Sequence, residues 1–95
     1  MYTHASNLGG NITVTQDKPF ETDFDVCWSY VSFTLLNYDS IEFKIKVTLN
    51  DTEEIYLDLS NAEKTITLRD FQLGKIKIEV LDGLGMYTFS VIVMQ

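Results

Sequence analysis

The sequence lacks the side chains from which most catalytic and metal sites are built. Its 95 residues include one histidine, His4, and one cysteine, Cys27. A nucleophilic triad needs a base held in register with its nucleophile, and His4 lies at the very start of the chain, far in sequence from Cys27. One cysteine and one histidine also cannot supply the ligands of a zinc site. We therefore expect no enzymatic activity and no cofactor.

The chain also lacks a long apolar run, a secretion signal and an excess of positive charge. It contains no stretch of about 18 apolar residues, and its first residues form neither a basic nor an apolar segment. Its 14 acidic and 7 basic residues give a formal charge of −7, whereas a protein that binds a phosphate backbone needs a basic stripe. We expect neither membrane nor nucleic acid as a partner.

What the sequence does contain is alternation of apolar and polar residues at every second position. Residues 41–49 show it most clearly, and no segment shows an apolar helical period over about ten residues. The same alternation recurs at residues 12–15, 20–35, 55–59, 66–68, 76–80 and 86–94. It predicts an all-β fold, a single antiparallel β-sandwich of roughly seven or eight strands. A small β-barrel or a jelly-roll-like arrangement is the alternative.

The first ten residues differ from the rest of the chain. They show no periodicity and end in Gly9 and Gly10, a pair typical of a hinge. We predict a flexible N-terminal arm at residues 1–10, joined to one domain at residues 11–95. Tyr2 and Leu8 are the apolar side chains with which such an arm would contact a partner.

Two strands carry unusual patterns. In residues 20–30 the aromatic side chains share one parity, but from Val31 the apolar residues change parity. This change predicts a bulge or corner near residues 29–31, through which one strand passes between two sheets. Residues 91–94 are apolar on both faces, so Ile92 and Met94 are predicted to be covered by the sheet itself or by another chain.

Charged residues gather on a few strand faces. The acidic face holds Glu21, Asp23 and Asp25, and the basic faces hold Lys44 and Lys46 on one strand and Lys75 and Lys77 on another. The carboxylates are open to three interpretations: a solvated face, salt bridges with lysines of this or another chain, or a calcium site. The lysines either protect strand edges or meet the acidic face of a neighbouring subunit, in a contact that salt would weaken.

The end of the chain resembles a known architecture. Residues 75–81, the turn around Gly83 and Gly85, and the inward parity of Tyr87, Phe89, Val91 and Val93 resemble the last two strands of immunoglobulin-like domains in phage virion and bacterial surface proteins. Trp28 is similar to the core tryptophan of such sandwiches. The disulfide of antibody domains is absent because Cys27 has no partner cysteine.

These observations lead to three hypotheses about function. The first is a structural or assembly protein of a phage particle, such as a capsid-decoration, head or tail accessory protein, with itself or other virion subunits as partners. The expected location is then the virion if a phage encodes the protein, and otherwise the cytoplasm. The second is an acidic inhibitor that blocks a basic surface of a host defence enzyme. The third is a carbohydrate-binding or adhesive module that uses Tyr2, Tyr38 and Tyr56.

Overall fold

The protein is an antiparallel β-sheet protein, as the alternation predicts. The computed structural model describes residues 5–8, 10–37, 42–60 and 65–95. Within these ranges one sheet contains seven strands, in the order β1-β7-β3-β6-β4-β5 with β2 also beside β7. The strands are β1 (Ala5–Ser6), β2 (Ile12–Val14), β3 (Phe20–Asn37), β4 (Lys44–Leu49), β5 (Glu53–Asp58), β6 (Ile66–Asp82) and β7 (Tyr87–Met94). The all-β fold is confirmed.

Two long strands run through both halves of this sheet. The first layer consists of residues 20–23 of β3, residues 75–82 of β6, and the hairpin of β4 and β5. The second layer consists of residues 28–37 of β3, residues 66–73 of β6, and β7 with β1 and β2 at its side. Because β3 and β6 belong to both layers, the sheet folds over on itself as a sandwich without a break in the chain.

The bend lies where β3 and β6 change register. Residues 24–27 of β3 lie opposite Gly74 alone, and residues 70–72 of β6 lie opposite Ser29 alone. Extra residues on one strand of a pair bend that strand and re-aim its side chains. The predicted bulge near residues 29–31 is confirmed, and it extends back along β3. The alternation at residues 66–68 and at 76–80 indicates two separate strands, and this interpretation is wrong, because β6 continues through residues 70–74 between them.

Alternate residues of both layers meet in one core. The residues that are buried are Ile12, Val14, Val31, Phe33, Leu35, Phe43, Ile45, Val47, Leu49, Leu57, Leu73, Ile76, Ile78, Val80, Tyr87, Phe89, Val91 and Val93. Just before β4, the ring of Phe43 lies 5.0 Å from that of Tyr87 at the start of β7. This contact joins the first layer to the second across the interior.

Several ends of elements differ from the sequence prediction. Within the predicted arm, Ala5 and Ser6 pair with Met94 and Val93 of β7, and Leu8 packs against the core. These residues are part of the domain and do not stand away from it. β4 begins at Lys44, later than the predicted start at residue 41. The remaining residues of the predicted arm, 1–4 and 9, and residues 38–41 and 61–64 lie outside the described residues.

Candidate interaction surfaces

The outer face of the first layer is a lattice of ion pairs, which we call the ion-pair face. Antiparallel pairing places Glu21 opposite Lys77 and Asp23 opposite Lys75. The Lys75 ammonium lies 3.6 Å from Glu21 and 3.1 Å from Asp51. Cross-strand pairs of opposite charge stabilise a sheet by a few tenths of a kcal/mol to about 1 kcal/mol each. The predicted acidic and basic faces therefore meet within one chain.

The same pattern continues across β4. Lys46 lies 3.4 Å from Glu54 of β5 and 3.8 Å from Glu79 of β6, and Lys77 lies 3.7 Å from Glu79. The ammonium of Lys44 lies 5.1 Å from the centre of the Tyr56 ring, at a distance suited to a cation–π contact. All four lysines of the predicted basic faces thus have contacts inside the chain.

Lys75 has the most acidic surroundings on this face. Its hydrogen bond to Asp51, together with the negative charges of Asp51, Glu21 and Asp23, raises the pKa of Lys75 although desolvation opposes the shift. Because folding raises the pKa of Lys75, its ion pairing stabilises the fold at pH values below the pKa that Lys75 has in the unfolded chain. The contribution is lost as the pH rises through the raised pKa.

The outer face of the second layer has a different chemistry, and we call it the hydroxyl face. Its side chains alternate along the strands with buried ones. They are Thr13, Tyr30, Ser32, Thr34, Thr65, Thr67, Arg69, Thr88, Ser90, Ile92 and Met94. No carboxylate is among these residues, although the whole chain carries 14. The carboxylates whose positions the structure describes therefore lie elsewhere.

Hydroxyl groups join the strands across this face. The hydroxyls of Thr34 and Thr65 lie 2.9 Å apart, and that of Thr67 donates to Ser32 over 3.4 Å. On the other side, the hydroxyls of Thr13 and Thr88 lie 3.3 Å apart. Threonine pairs across antiparallel strands stabilise the sheet, so hydroxyl groups hold this face in shape where the structure describes it.

The larger side chains of the hydroxyl face lie in two neighbouring rows. Tyr30 of β3 lies between Arg69 of β6 and Met94 of β7, and the Arg69 guanidinium is 5.5 Å from the centre of the Tyr30 ring. In the next row Ile92 lies opposite Ser32 and is 42% exposed. The first alternative for residues 91–94, coverage by the sheet itself, is therefore wrong for Ile92 within the described part of the chain.

The remaining predicted residues are scattered. Asp25 is exposed at the corner of β3, Leu8 is half-buried against the core, and Tyr2 lies outside the described residues.

Among the residues with described positions, no group of three or more His, Cys, Asp or Glu side chains can hold a metal ion. The part of the chain that the structure describes also has no helix long and apolar enough to cross a membrane.

Tyr56 and Trp28 both contact other side chains of the same chain. The hydroxyl of Tyr56 donates to Glu54 over 3.2 Å while its ring contacts Lys44, so the tyrosine is part of the ion-pair face. Trp28 lies half-buried in the corner of β3 with its ring edge-on to Phe24, 6.2 Å away between centroids. Its indole N–H is buried without a hydrogen-bond partner among the described residues. The tryptophan therefore packs at the bend and lies outside the fully buried core.

Comparisons with known proteins give no assignment, since no family model, curated protein or solved structure matches the chain. The structure thus has to be interpreted from its surfaces alone. Sequence reasoning found Ile92 and Met94, but it missed the hydroxyl residues around them. The available signal was the polar parity of residues 30–34 and 88–94, which contains serine and threonine and no charge.

Proposed function

We propose that the protein is a non-enzymatic assembly protein that binds other protein subunits through its hydroxyl face. The observation that supports this proposal most directly is Ile92, 42% exposed on a central strand in a face whose described residues include no carboxylate. A single exposed aliphatic side chain is common on soluble proteins, but the described side chains around Ile92 carry no negative charge in a chain of formal charge −7, which favours contact with another protein surface.

The composition of this face supports protein binding. The centres of protein interfaces are depleted in charged residues and enriched in tyrosine, methionine and arginine, three types that occur here as Tyr30, Met94 and Arg69. The arginine lies over the tyrosine ring, which orders both side chains before a partner arrives. The ion-pair face differs in this respect, because its lysines already have carboxylate or aromatic contacts.

We further propose a phage particle as the assembly to which the protein contributes. The support is the resemblance of residues 75–94 to the last strands of virion immunoglobulin-like domains. A small acidic domain is also suited to high local concentrations, because net charge keeps such proteins soluble.

The acidic inhibitor is a second candidate, and one specific observation favours it. Glu21, Asp23 and Asp25 are all exposed along the same side of β3. Alternate residues of a strand lie about 7 Å apart, so these carboxylates form a regular negative row that a basic surface would attract. Glu21 is the one of the three that has a lysine within 4 Å among the described ion pairs.

Photo-crosslinking in the producing cell tests the proposal and separates the two candidates. The variant Ile92→p-benzoylphenylalanine places the crosslinker on the hydroxyl face. The matched control Thr48→p-benzoylphenylalanine places it on a central strand of the ion-pair face. A third variant, Asp25→p-benzoylphenylalanine, reports on the acidic row.

We expect one discrete protein adduct from position 92 and none from position 48. Equal adducts from positions 92 and 48, or none from 92, would contradict the proposal. An adduct confined to position 25 would contradict it as well and would support the inhibitor.

A further inference from the structure

Several strand segments have a described neighbour on one side only, among them three at the edges of the two layers. In the first layer, residues 20–23 of β3 pair with β6 alone, and β5 pairs with β4 alone. In the second layer, residues 66–69 of β6 pair with β3 alone, because β4 joins β6 only from residue 76 onward. Within the described part of the chain, each of these edges presents backbone N–H and C=O groups to which a further strand can bind.

Two of the three edges repel a second copy of the chain. In an antiparallel pair related by a twofold axis, residues of the same parity lie opposite each other. On β3, each register centred on residues 21–23 places Glu21 or Asp23 of one chain directly opposite a carboxylate of the other. On β5 it places Glu54 and Asp58 directly opposite or diagonal to their copies. Like charges in these positions destabilise the pairing.

The edge at residues 66–69 can pair with a second copy without placing like charges opposite each other. Its exposed positions are Thr67 and Arg69, and the guanidinium of Arg69 lies back over the Tyr30 ring of the neighbouring strand. Antiparallel pairing of two copies centred on Thr67 places Ile66 opposite Leu68 and Arg69 opposite Thr65. No like charges are then opposed, and two half-buried aliphatic pairs gain contacts.

We propose that two copies of the chain pair through residues 66–69 of β6, in antiparallel register about Thr67. The inference rests on the proposed assembly function and names a second copy as the partner. The pairing joins the second layers of both copies into one continuous sheet. Their hydroxyl faces then form a single broad surface on which Ile92 of each copy remains open to a further subunit.

The net charge gives this dimer a distinctive salt dependence. Each chain carries a formal charge of −7, so two copies repel each other at long range. Salt screens that repulsion over roughly 10 Å at 0.1 M. The dissociation constant of the edge-paired dimer should therefore fall as salt rises. A dimer held by the acidic face of one copy on the basic face of another should show the reverse.

Sedimentation of the intact protein and of charged variants at Thr67 tests this pairing. Thr67→Lys and Thr67→Glu each place like charges directly opposite across the twofold axis. Each should raise the dimer dissociation constant by roughly five-fold or more. An equimolar mixture of the two variants should restore pairing, because opposite charges then meet. Ser90→Lys, on the same face but on the interior strand β7, is the matched control and should leave the dimer unchanged.

Thermal unfolding of each variant checks that the variant is folded. The equimolar mixture controls for small losses in stability, because it contains the same two variants. A wild-type protein that stays at the 10.9 kDa monomer mass up to about 1 mM overturns the inference. So does equal weakening by Ser90→Lys, or a dissociation constant that rises with salt. These results leave the crosslinking at position 92 unaffected, so failure of the dimer and failure of the assembly function are distinguishable.

Discussion

At the scale of single residues, the tightest steric requirement lies at Gly83, after the end of β6. Its φ of 141° is a conformation that side chains rarely adopt, and a Cβ there would overlap the hydroxyl of Tyr87 and crowd Phe43. The glycine is buried, so the hydroxyl has little room to move away. Gly83 therefore lies against both layers, because Phe43 belongs to the first layer and Tyr87 to the second.

The substitution Gly83→Ala should lower the free energy of unfolding by about 1–3 kcal/mol, from backbone strain and displacement of Tyr87. Chemical denaturation measures it. Gly74→Ala is the control, because a Cβ at that position makes only an ordinary contact, 3.7 Å from Asn50. Equal stability of the two variants would contradict the steric argument.

At the scale of elements, the turn between β4 and β5 holds the corner of β6. Asn50 and Asp51 have positive φ values of 56° and 62°, which close the hairpin tightly. The Asn50 side chain accepts hydrogen bonds from the backbone N–H groups of Gly74 and Lys75, at 2.8 and 3.1 Å. It also donates to the carbonyl of Gln72 at 2.7 Å. A register change leaves backbone groups of a strand without ladder partners, and this one amide satisfies three of them.

The substitution Asn50→Ala should therefore cost about 2–4 kcal/mol of unfolding free energy, since it leaves these groups without their partner and strains the turn. Asn50→Gly removes the same hydrogen bonds but tolerates positive φ, so it should be less destabilising than the alanine variant. Hydrogen exchange at Gly74 and Lys75 should speed up in both. Unchanged exchange at these two amides would show that the side chain does not hold the corner.

At the scale of the whole molecule, the two layers cannot unfold independently. β3 and β6 contribute to both layers, and one cluster of buried side chains fills the space between them. A domain of this size is expected to unfold in a single cooperative transition. The sharing of two strands gives that expectation a specific structural cause.

Truncation of one core residue in each layer tests this coupling. Leu49→Ala in the first layer and Leu35→Ala in the second should each destabilise the protein by about 2–5 kcal/mol. Both should shift the same transition, followed by far-ultraviolet circular dichroism and by fluorescence of Trp28 at the corner. Two separate transitions, each moved by one substitution, would contradict the shared core.

The sequence by itself determined the strand content, the inward residues and the approximate place of the bend. Alternation along a pleated strand is local, so the parity of residues 45–49 or 87–93 is visible without knowledge of any neighbouring strand. The change of parity near Val31 is equally local. It predicted correctly that β3 turns a corner there, although the two parts that β3 joins are layers of one sheet. The alternation does not show that β6 is continuous, because the bulge in β6 disturbs it.

Only the tertiary structure decided which residues share a face. Glu21 meets Lys75, and Thr34 meets Thr65, through pairing between strands that are far apart in sequence. The same pairing showed that lysines and carboxylates neutralise each other within one chain, and that serine and threonine gather around Ile92. The register between distant strands depends on the packing of the whole core and on bulges at the corner. No local pattern of residues contains that information.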